Sequence, residues 1–169
     1  MKRFAITAAL LSVALAAGCN GGGDMANVDA IHNTATADGL AVTLKVPERK
    51  VHWGQELPVR VVAENTAGSD IRVNATSAAL VKVHVWERVG EGWDMVKTYP
   101  EAAAMVMSPW TLEAGQTREF PLTIPVERNW PTGEPVRLTA ELNGWAKATP
   151  GGVIEVYRTR EHRDRAKAD

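Results

Sequence analysis

Histidine, cysteine and serine are the residue types here that could bind a metal or act as nucleophiles, and their spacing favours neither role. The chain has four histidines, His32, His52, His84 and His162, and a single cysteine, Cys19. No two histidines have the short spacing that metal ligands on one element show, and a structural zinc site needs four nitrogen or sulfur ligands. We therefore predict no metal site and no cofactor.

The sequence also contains no recognisable catalytic motif. None of Ser69, Ser77 and Ser108 lies in the Gly-x-Ser-x-Gly turn that exposes a nucleophilic hydroxyl. The glycines at positions 21–23 precede no strand–helix unit, so they are a linker rather than a phosphate-binding loop. We predict no catalytic residue and a protein that is not an enzyme.

Tryptophan is the residue type that offers recognition chemistry. The chain has six tryptophans but only two phenylalanines and two tyrosines. An indole ring can fill the open end of a β-sandwich, or it can lie exposed and stack on a sugar or a partner protein. We expect Trp110 and Trp130, each next to a proline, to close the core.

Trp86 lies in a segment that predicts the exposed alternative. If Val81, Val83 and Val85 face inward, strand geometry places the intervening residues together on the outer face. This outer stripe is a candidate ligand-binding site for an anionic glycan or an acidic protein patch, and it consists of Lys82, His84, Trp86 and Arg88. Two structural alternatives stay open: the lysine and arginine stems cover the indole, or a β-bulge turns it into the core.

The elements that must position these residues are strands, because apolar and polar residues alternate along most of the chain. Gly-, Pro- and Asn-containing turns separate the alternating segments, and no long amphipathic helix lies between them. We predict an all-β fold, an immunoglobulin-like antiparallel β-sandwich of about seven strands, with one helical turn at Glu101–Met107. The segments are Leu40–Val46, Leu57–Ala63, Ile71–Ala75, Val81–Val85, Phe120–Ile124, Val136–Leu142 and Ile154–Val156.

The N-terminus has the organisation of a secretory signal. Lys2 and Arg3 precede an apolar run from Phe4 to Ala17, which is shorter than the roughly 20 residues of a membrane-spanning helix. Residues 15–19, Leu-Ala-Ala-Gly-Cys, resemble the lipobox of bacterial lipoproteins, with alanine at position 16 where the family usually has leucine. The resemblance implies a signal peptide over residues 1–18 and a diacylglycerol anchor on Cys19.

Composition divides the rest of the chain into three parts. Residues 19–39 are predicted to be the lipidated cysteine and a flexible linker, residues 40–157 the sandwich domain, and residues 158–169 a charged tail. The formal net charge of −1, with acidic and basic residues interspersed, argues against a nucleic-acid partner. Because Asn20 follows the cysteine where some lipoproteins retained at the inner membrane have aspartate, we expect an outer-membrane location facing the periplasm or the cell surface.

Two motifs in the sandwich region resemble the immunoglobulin-like domain of the BsuPI type, a family named for a bacterial intracellular proteinase inhibitor. Residues Gly54–Thr66, GQELPVRVVAENT, match its glycine-led strand that ends in asparagine. Residues Trp110–Phe120, WTLEAGQTREF, match its Leu-x-x-Gly turn into a later strand. The resemblance implies the fold over residues 40–157, and no residue here matches an inhibitory residue.

These observations predict a membrane-anchored lipoprotein of the cell envelope whose sandwich is a non-catalytic binding or scaffolding module. Its expected partners are the membrane, through Cys19, and an envelope protein or polysaccharide. Two alternatives stay open: a proteinase inhibitor of the BsuPI type, and a carbohydrate-binding module that uses exposed tryptophans.

Overall fold

The computed structural model describes residues 30–159, which form strands and no helix. The all-β prediction is confirmed, and no segment in this range forms a helix long and apolar enough to cross a membrane. The predicted signal peptide, Cys19 and residues 160–169 of the predicted tail lie outside the described residues. The strands are β1 (Ile31–Ala37), β2 (Leu40–Val46), β3 (Lys50–His52), β4 (Glu56–Asn65), β5 (Ile71–Ala75), β6 (Val81–Val89), β7 (Gly92–Tyr99), β8 (Ser108–Leu112), β9 (Thr117–Pro125), β10 (Pro135–Leu142) and β11 (Gly151–Tyr157).

Two large sheets enclose the core. The four-stranded sheet has the order β1-β2-β4-β9, with antiparallel neighbours throughout. The five-stranded sheet has the order β3-β11-β10-β6-β7, in which only β3 and β11 run parallel. Strands β5 and β8 form a separate antiparallel pair. The architecture is therefore a β-sandwich with a small additional sheet.

The predicted alternation places the core residues. In β4, Leu57, Val59 and Val61 are buried while Pro58 and Arg60 between them are exposed. Each fully buried aliphatic side chain of this size contributes roughly 1.5–3 kcal/mol relative to exposure. The seven predicted segments coincide with β2, β4, β5, β6, β9, β10 and β11, because in each of them one face meets the opposite sheet or the core edge.

The predicted boundary of the flexible linker is wrong. Residues 31–37, assigned to the linker, form β1, which pairs with the whole of β2. Asp38 and Gly39 connect the two strands with positive φ angles of 48° and 78°, as in a type I′ hairpin turn. Only Ile31 of β1 is fully buried, so the strand lacks the apolar alternation that marks the others. The sandwich therefore begins at Ile31 rather than at Leu40.

The predicted helical turn at Glu101–Met107 is also wrong. Residues 102–107 have no regular secondary structure, and all six are exposed. Such a segment buries nothing that would offset the unfavourable nucleation of a helix. It crosses instead from β7 to β8 as an apolar loop, held near its middle by a 2.9 Å hydrogen bond from the Ala78 amide to the Ala104 carbonyl.

A buried asparagine joins the four-stranded sheet to the small sheet. The Asn65 side-chain amide donates to the carbonyls of Ser69 (2.9 Å), Leu112 (2.8 Å) and Glu113 (3.0 Å), and its oxygen accepts from the Ala67 amide (2.9 Å). Asn65 ends the first BsuPI-like motif, and Leu112 begins the Leu-x-x-Gly turn of the second. The two motifs are therefore parts of one hydrogen-bonded junction.

Candidate binding surface on the five-stranded sheet

The structure places the predicted stripe on the outer side of β6. Val81, Val83 and Val85 are buried, so the residues between them point away from the core. Lys82, His84 and Trp86 are half-buried there and Arg88, near the end of the hairpin, is exposed; their role as ligand contacts stays a prediction.

A β-bulge lies beside Trp86 without turning it inward. Val85 pairs with Lys97 while Trp86 pairs with Met95, so Val96 is the extra residue and the bulge belongs to β7. Strand β6 keeps its alternation, and the alternative in which the bulge carries Trp86 into the core is wrong.

The Trp86 indole is fixed to the sheet by a hydrogen bond. Its Nε1–H donates to the hydroxyl of Thr139 on β10 at 2.9 Å. Arg137 and Met95 are its cross-strand neighbours on either side, and Met95 is 55% exposed. The ring therefore lies along the sheet with its donor already used, so a ligand would meet its apolar surface.

His84 is held on both sides of its ring. Its Nδ1 lies 2.9 Å from the Thr98 hydroxyl and its Nε2 lies 3.2 Å from a Glu141 carboxylate oxygen. Since a carboxylate only accepts, Nε2 carries a proton. The imidazole also meets the Trp86 ring edge-on at 6.2 Å between centroids. His84 therefore positions Trp86 and has no free nitrogen for a ligand.

Sequence reasoning missed the neighbouring strand of this surface. Trp93 on β7 pairs with Arg88, and the Arg137 guanidinium carbon lies 6.0 Å from the Trp93 ring centroid. The Gly90-Glu91-Gly92 segment is a local signal for a turn, and a hairpin centred on it places Trp93 opposite Arg88. We call this surface the aromatic face and define it as Lys82, His84, Trp86, Arg88, Trp93, Met95 and Arg137.

The other tryptophans belong to the core or its rim. Trp130 is 1% exposed, which confirms its predicted role, and its carbonyl accepts the Trp53 indole N–H at 3.0 Å. Trp110 packs partly against the core, 5.9 Å from the Phe120 ring, with the Arg118 guanidinium 5.2 Å from both ring centroids. Trp145 also packs partly against the core, which leaves Trp86 and Trp93 as the two outside it.

Three ionisable groups with shifted pKa values lie together between the ends of β7 and β9. The Tyr99 hydroxyl donates to Glu127 at 2.8 Å, and the Lys97 ammonium lies 3.2 Å from Glu127 and 3.0 Å from Glu101. Burial, and then the bond to Glu127, raises the pKa of Tyr99 well above its ordinary value. The Tyr99 bond lowers the pKa of Glu127, and the bond to Glu101 followed by that to Glu127 raises the pKa of Lys97. These groups bind one another, which indicates a structural role.

Potential metal ligands do not cluster within residues 30–159. In this range no group of three or more histidine, cysteine, aspartate or glutamate side chains is arranged to hold a metal ion.

Comparisons with known proteins bear on the fold alone. The sequence matches no protein-family model and no curated protein. Spo0M, the sporulation control protein of Bacillus subtilis, is similar in structure with a TM-score of 0.52 and 13% identity, over 78% of this chain and 55% of that one. This chain therefore spans about half the length of Spo0M, and the likeness supports a β-rich domain without specifying an activity.

Two further similar structures are parts of larger enzymes. The alkylpurine DNA glycosylase AlkC of Pseudomonas fluorescens has a TM-score of 0.44 at 13% identity, over 72% of this chain and 31% of that one. A β-glucosidase of Listeria innocua has a TM-score of 0.46 at 13% identity, over 71% and 16%. At these values neither likeness supports an activity for this chain.

Proposed function

We propose that this protein is a non-catalytic binding module of the cell envelope, anchored through Cys19, and that its partner contacts the aromatic face. One observation carries the proposal: Trp86 and Trp93 lie outside the core on one sheet face, beside the largely exposed Met95 and the cation of Arg137. Partly exposed tryptophan, methionine and arginine are the residues enriched at the centres of protein interfaces.

A protein partner fits this surface better than a polysaccharide does. Trp86 and Trp93 are only half-exposed, and the Trp86 N–H is already bonded to Thr139. Sugar binding by stacking needs an open ring face together with free hydrogen-bond donors and acceptors. Val153, which pairs with Arg137 and is 42% exposed, extends the apolar area across the sheet, as a protein contact requires.

Site-specific crosslinking of the full chain in cells tests this proposal. A photoreactive residue at Met95 is expected to crosslink to one discrete envelope protein, and Trp93→Ala is expected to abolish that product. The matched control carries the same photoreactive residue at Thr123, which is exposed on β9 of the other sheet. Identical products from both positions, or none from Met95, would contradict the proposal. Tryptophan fluorescence, measured with a panel of envelope polysaccharides, tests the sugar-binding alternative. Unchanged emission across the panel would reject that alternative.

Proteinase inhibition of the BsuPI type is the second candidate, and the apolar loop favours it. Residues 102–107 have no regular secondary structure and are exposed, with Met105 85% and Met107 67% exposed, and a segment that enters a protease cleft must be accessible in this way. Titration against a panel of endopeptidases checks this function. Inhibition by the native chain that Met105→Asp removes would favour it, and a flat response across the panel would reject it.

A further inference from the structure

A groove on the outer side of the four-stranded sheet combines positive charge with an apolar floor. It has a volume of about 420 Å³ and lies where β1, β2 and β4 run side by side. Two cationic side chains, Lys45 and Arg60, line it together with the imidazole of His32 and with Pro47 and Pro58. We call it the cationic groove. Its volume falls within the range of small-molecule binding sites.

Strand register places the imidazole of His32 and the two cations, Lys45 and Arg60, in one row. His32 on β1 pairs with Lys45 on β2, and Lys45 pairs with Arg60 on β4. Neighbouring strands are about 4.8 Å apart, so these side chains leave adjacent backbones on the same face of the sheet. Like charges directly opposite one another on a sheet are destabilising. The row therefore costs stability unless an anion lies between its members.

The residues that the structure describes supply little negative charge to the groove. Arg60 makes one ion pair with Glu119 at 3.4 Å, and both side chains are about half exposed to solvent. The side chains of His32 and Lys45 make no hydrogen bond or ion pair with any other side chain or backbone group of the range 30–159. The net charge of the whole chain is −1, so this row is a local feature rather than a consequence of a basic composition. An anion from outside the protein would complete the row.

The position of the groove indicates the source of that anion. Ala30, at the rim, is the residue through which the chain coming from Cys19 enters the domain. We propose that the cationic groove binds the phosphate of an anionic phospholipid, with the glycerol and first acyl carbons against the two prolines. Charge-assisted bonds from lysine and arginine are strong phosphate contacts, and the apolar floor suits the lipid part of such a ligand. The choice of a membrane lipid rests in part on the proposed anchor at Cys19.

Short-chain lipids below their critical micelle concentration test this site without membrane partitioning. The purified full chain is titrated with dihexanoyl-phosphatidylglycerol, dihexanoyl-phosphatidylcholine and inorganic phosphate, and binding is followed by calorimetry. We expect phosphatidylglycerol to bind about 10-fold more tightly than the other two, because only it offers both net negative charge and apolar carbons. Lys45→Gln and Arg60→Gln are each expected to weaken its binding by about 10-fold.

Two control variants keep the result specific. Lys45→Arg retains the charge and is expected to bind normally, and Arg72→Gln removes an exposed arginine of β5 and is expected to change nothing. Equal binding of the two lipids, binding of phosphate as tight as that of phosphatidylglycerol, or indifference to Lys45→Gln would each overturn the proposal. Metabolic labelling with a fatty acid tests the anchor separately, and the label should be absent from Cys19→Ala. Failure of the proposed anchor is therefore distinguishable from failure of the proposed lipid site.

Discussion

The outer faces of the two large sheets follow the same strand alternation but differ in how their polar side chains are satisfied. On the aromatic face, His84 bonds to Thr98 and Glu141, and the Trp86 N–H bonds to Thr139. In the cationic groove, the side chains of His32 and Lys45 make no hydrogen bond or ion pair within residues 30–159. A polar group whose bonds are made within the fold adds stability, whereas like charges held opposite one another cost stability and leave those side chains free for a ligand.

The largest expected loss of stability is at buried Asn65, because its side chain makes hydrogen bonds to four backbone groups. Asn65→Ala leaves buried carbonyls and an amide without partners, and we expect the free energy of unfolding to fall by about 2–4 kcal/mol. The matched control is Asn74→Ala, an exposed position on β5, with an expected change within about 0.5 kcal/mol. Urea denaturation measures both, and equal losses would show that the junction is not what Asn65 stabilises.

The second-largest effect is expected at the support of the aromatic face. Thr139→Val keeps the shape of the side chain but removes the acceptor for the Trp86 N–H, so we expect a loss of about 1–2 kcal/mol in urea denaturation. The change should also alter the near-ultraviolet circular dichroism of the tryptophans. Thr123→Val on exposed β9 is the control and is expected to be neutral. If Thr139→Val leaves the free energy of unfolding unchanged, the bond from Trp86 does not stabilise the protein, and the contrast between the aromatic face and the cationic groove is lost.

The strands that the sequence predicts are those with one face in the core. The missed strands follow different rules: β1 buries only Ile31 and β7 only Tyr99, β3 has three residues, and β8 contains a proline. Edge strands need no apolar alternation, because backbone pairing with one neighbour holds them. The Asp38-Gly39 dipeptide was the local signal for the first hairpin.

The candidate surfaces were predictable to different degrees. The outward side of β6 followed from alternation alone, because Val81, Val83 and Val85 define the inner face. The hydrogen bonds of His84 could not be predicted from the sequence, because they depend on how β10 and β7 pair with β6. The pairing of β7 includes a bulge that no local sequence pattern indicates. The cationic groove was not predicted at all, because His32 was assigned to the linker. Its neighbours Lys45 and Arg60 come together only through strand pairing.

The contribution of the polar cluster at Tyr99 to the free energy of unfolding is expected to depend on pH. The pKa of Tyr99 is raised on folding, so its contribution is complete below the unfolded value of about 10 and is lost as pH rises above it. The pKa of Glu127 is lowered, first by the bond from Tyr99, so that contribution is lost as pH falls below about 4. Tyr99→Phe removes the first effect and the largest cause of the second.

We expect Tyr99→Phe to cost on the order of 1 kcal/mol at neutral pH, with a difference from the native chain that narrows at both extremes. Urea denaturation across the pH range measures it. Tyr157→Phe is the control, because the exposed Tyr157 hydroxyl bonds only to Glu155 two residues away. A difference that stayed constant with pH would mean that the contribution of the Tyr99 hydroxyl does not depend on the ionisation of Tyr99 or Glu127, and no difference at any pH would mean that only the ring contributes.

The smallest expected effects compare a lysine that has ion-pair partners with one that has none, because the same substitution is made in the Tyr99 cluster and in the cationic groove. Lys97→Gln removes an ammonium that contacts Glu101 and Glu127, and should lower the free energy of unfolding slightly. Lys45→Gln removes a cation that faces His32 and Arg60, and should raise it by a few tenths of a kcal/mol. If the two changes in the free energy of unfolding have opposite signs at low salt, and become smaller as salt screens the charges, then Lys45 lowers the stability of the fold. Residues that bind a ligand often have such a cost. If Lys45→Gln instead destabilises the protein as much as Lys97→Gln, the row stabilises the sheet and the case for a lipid in the groove loses its energetic basis.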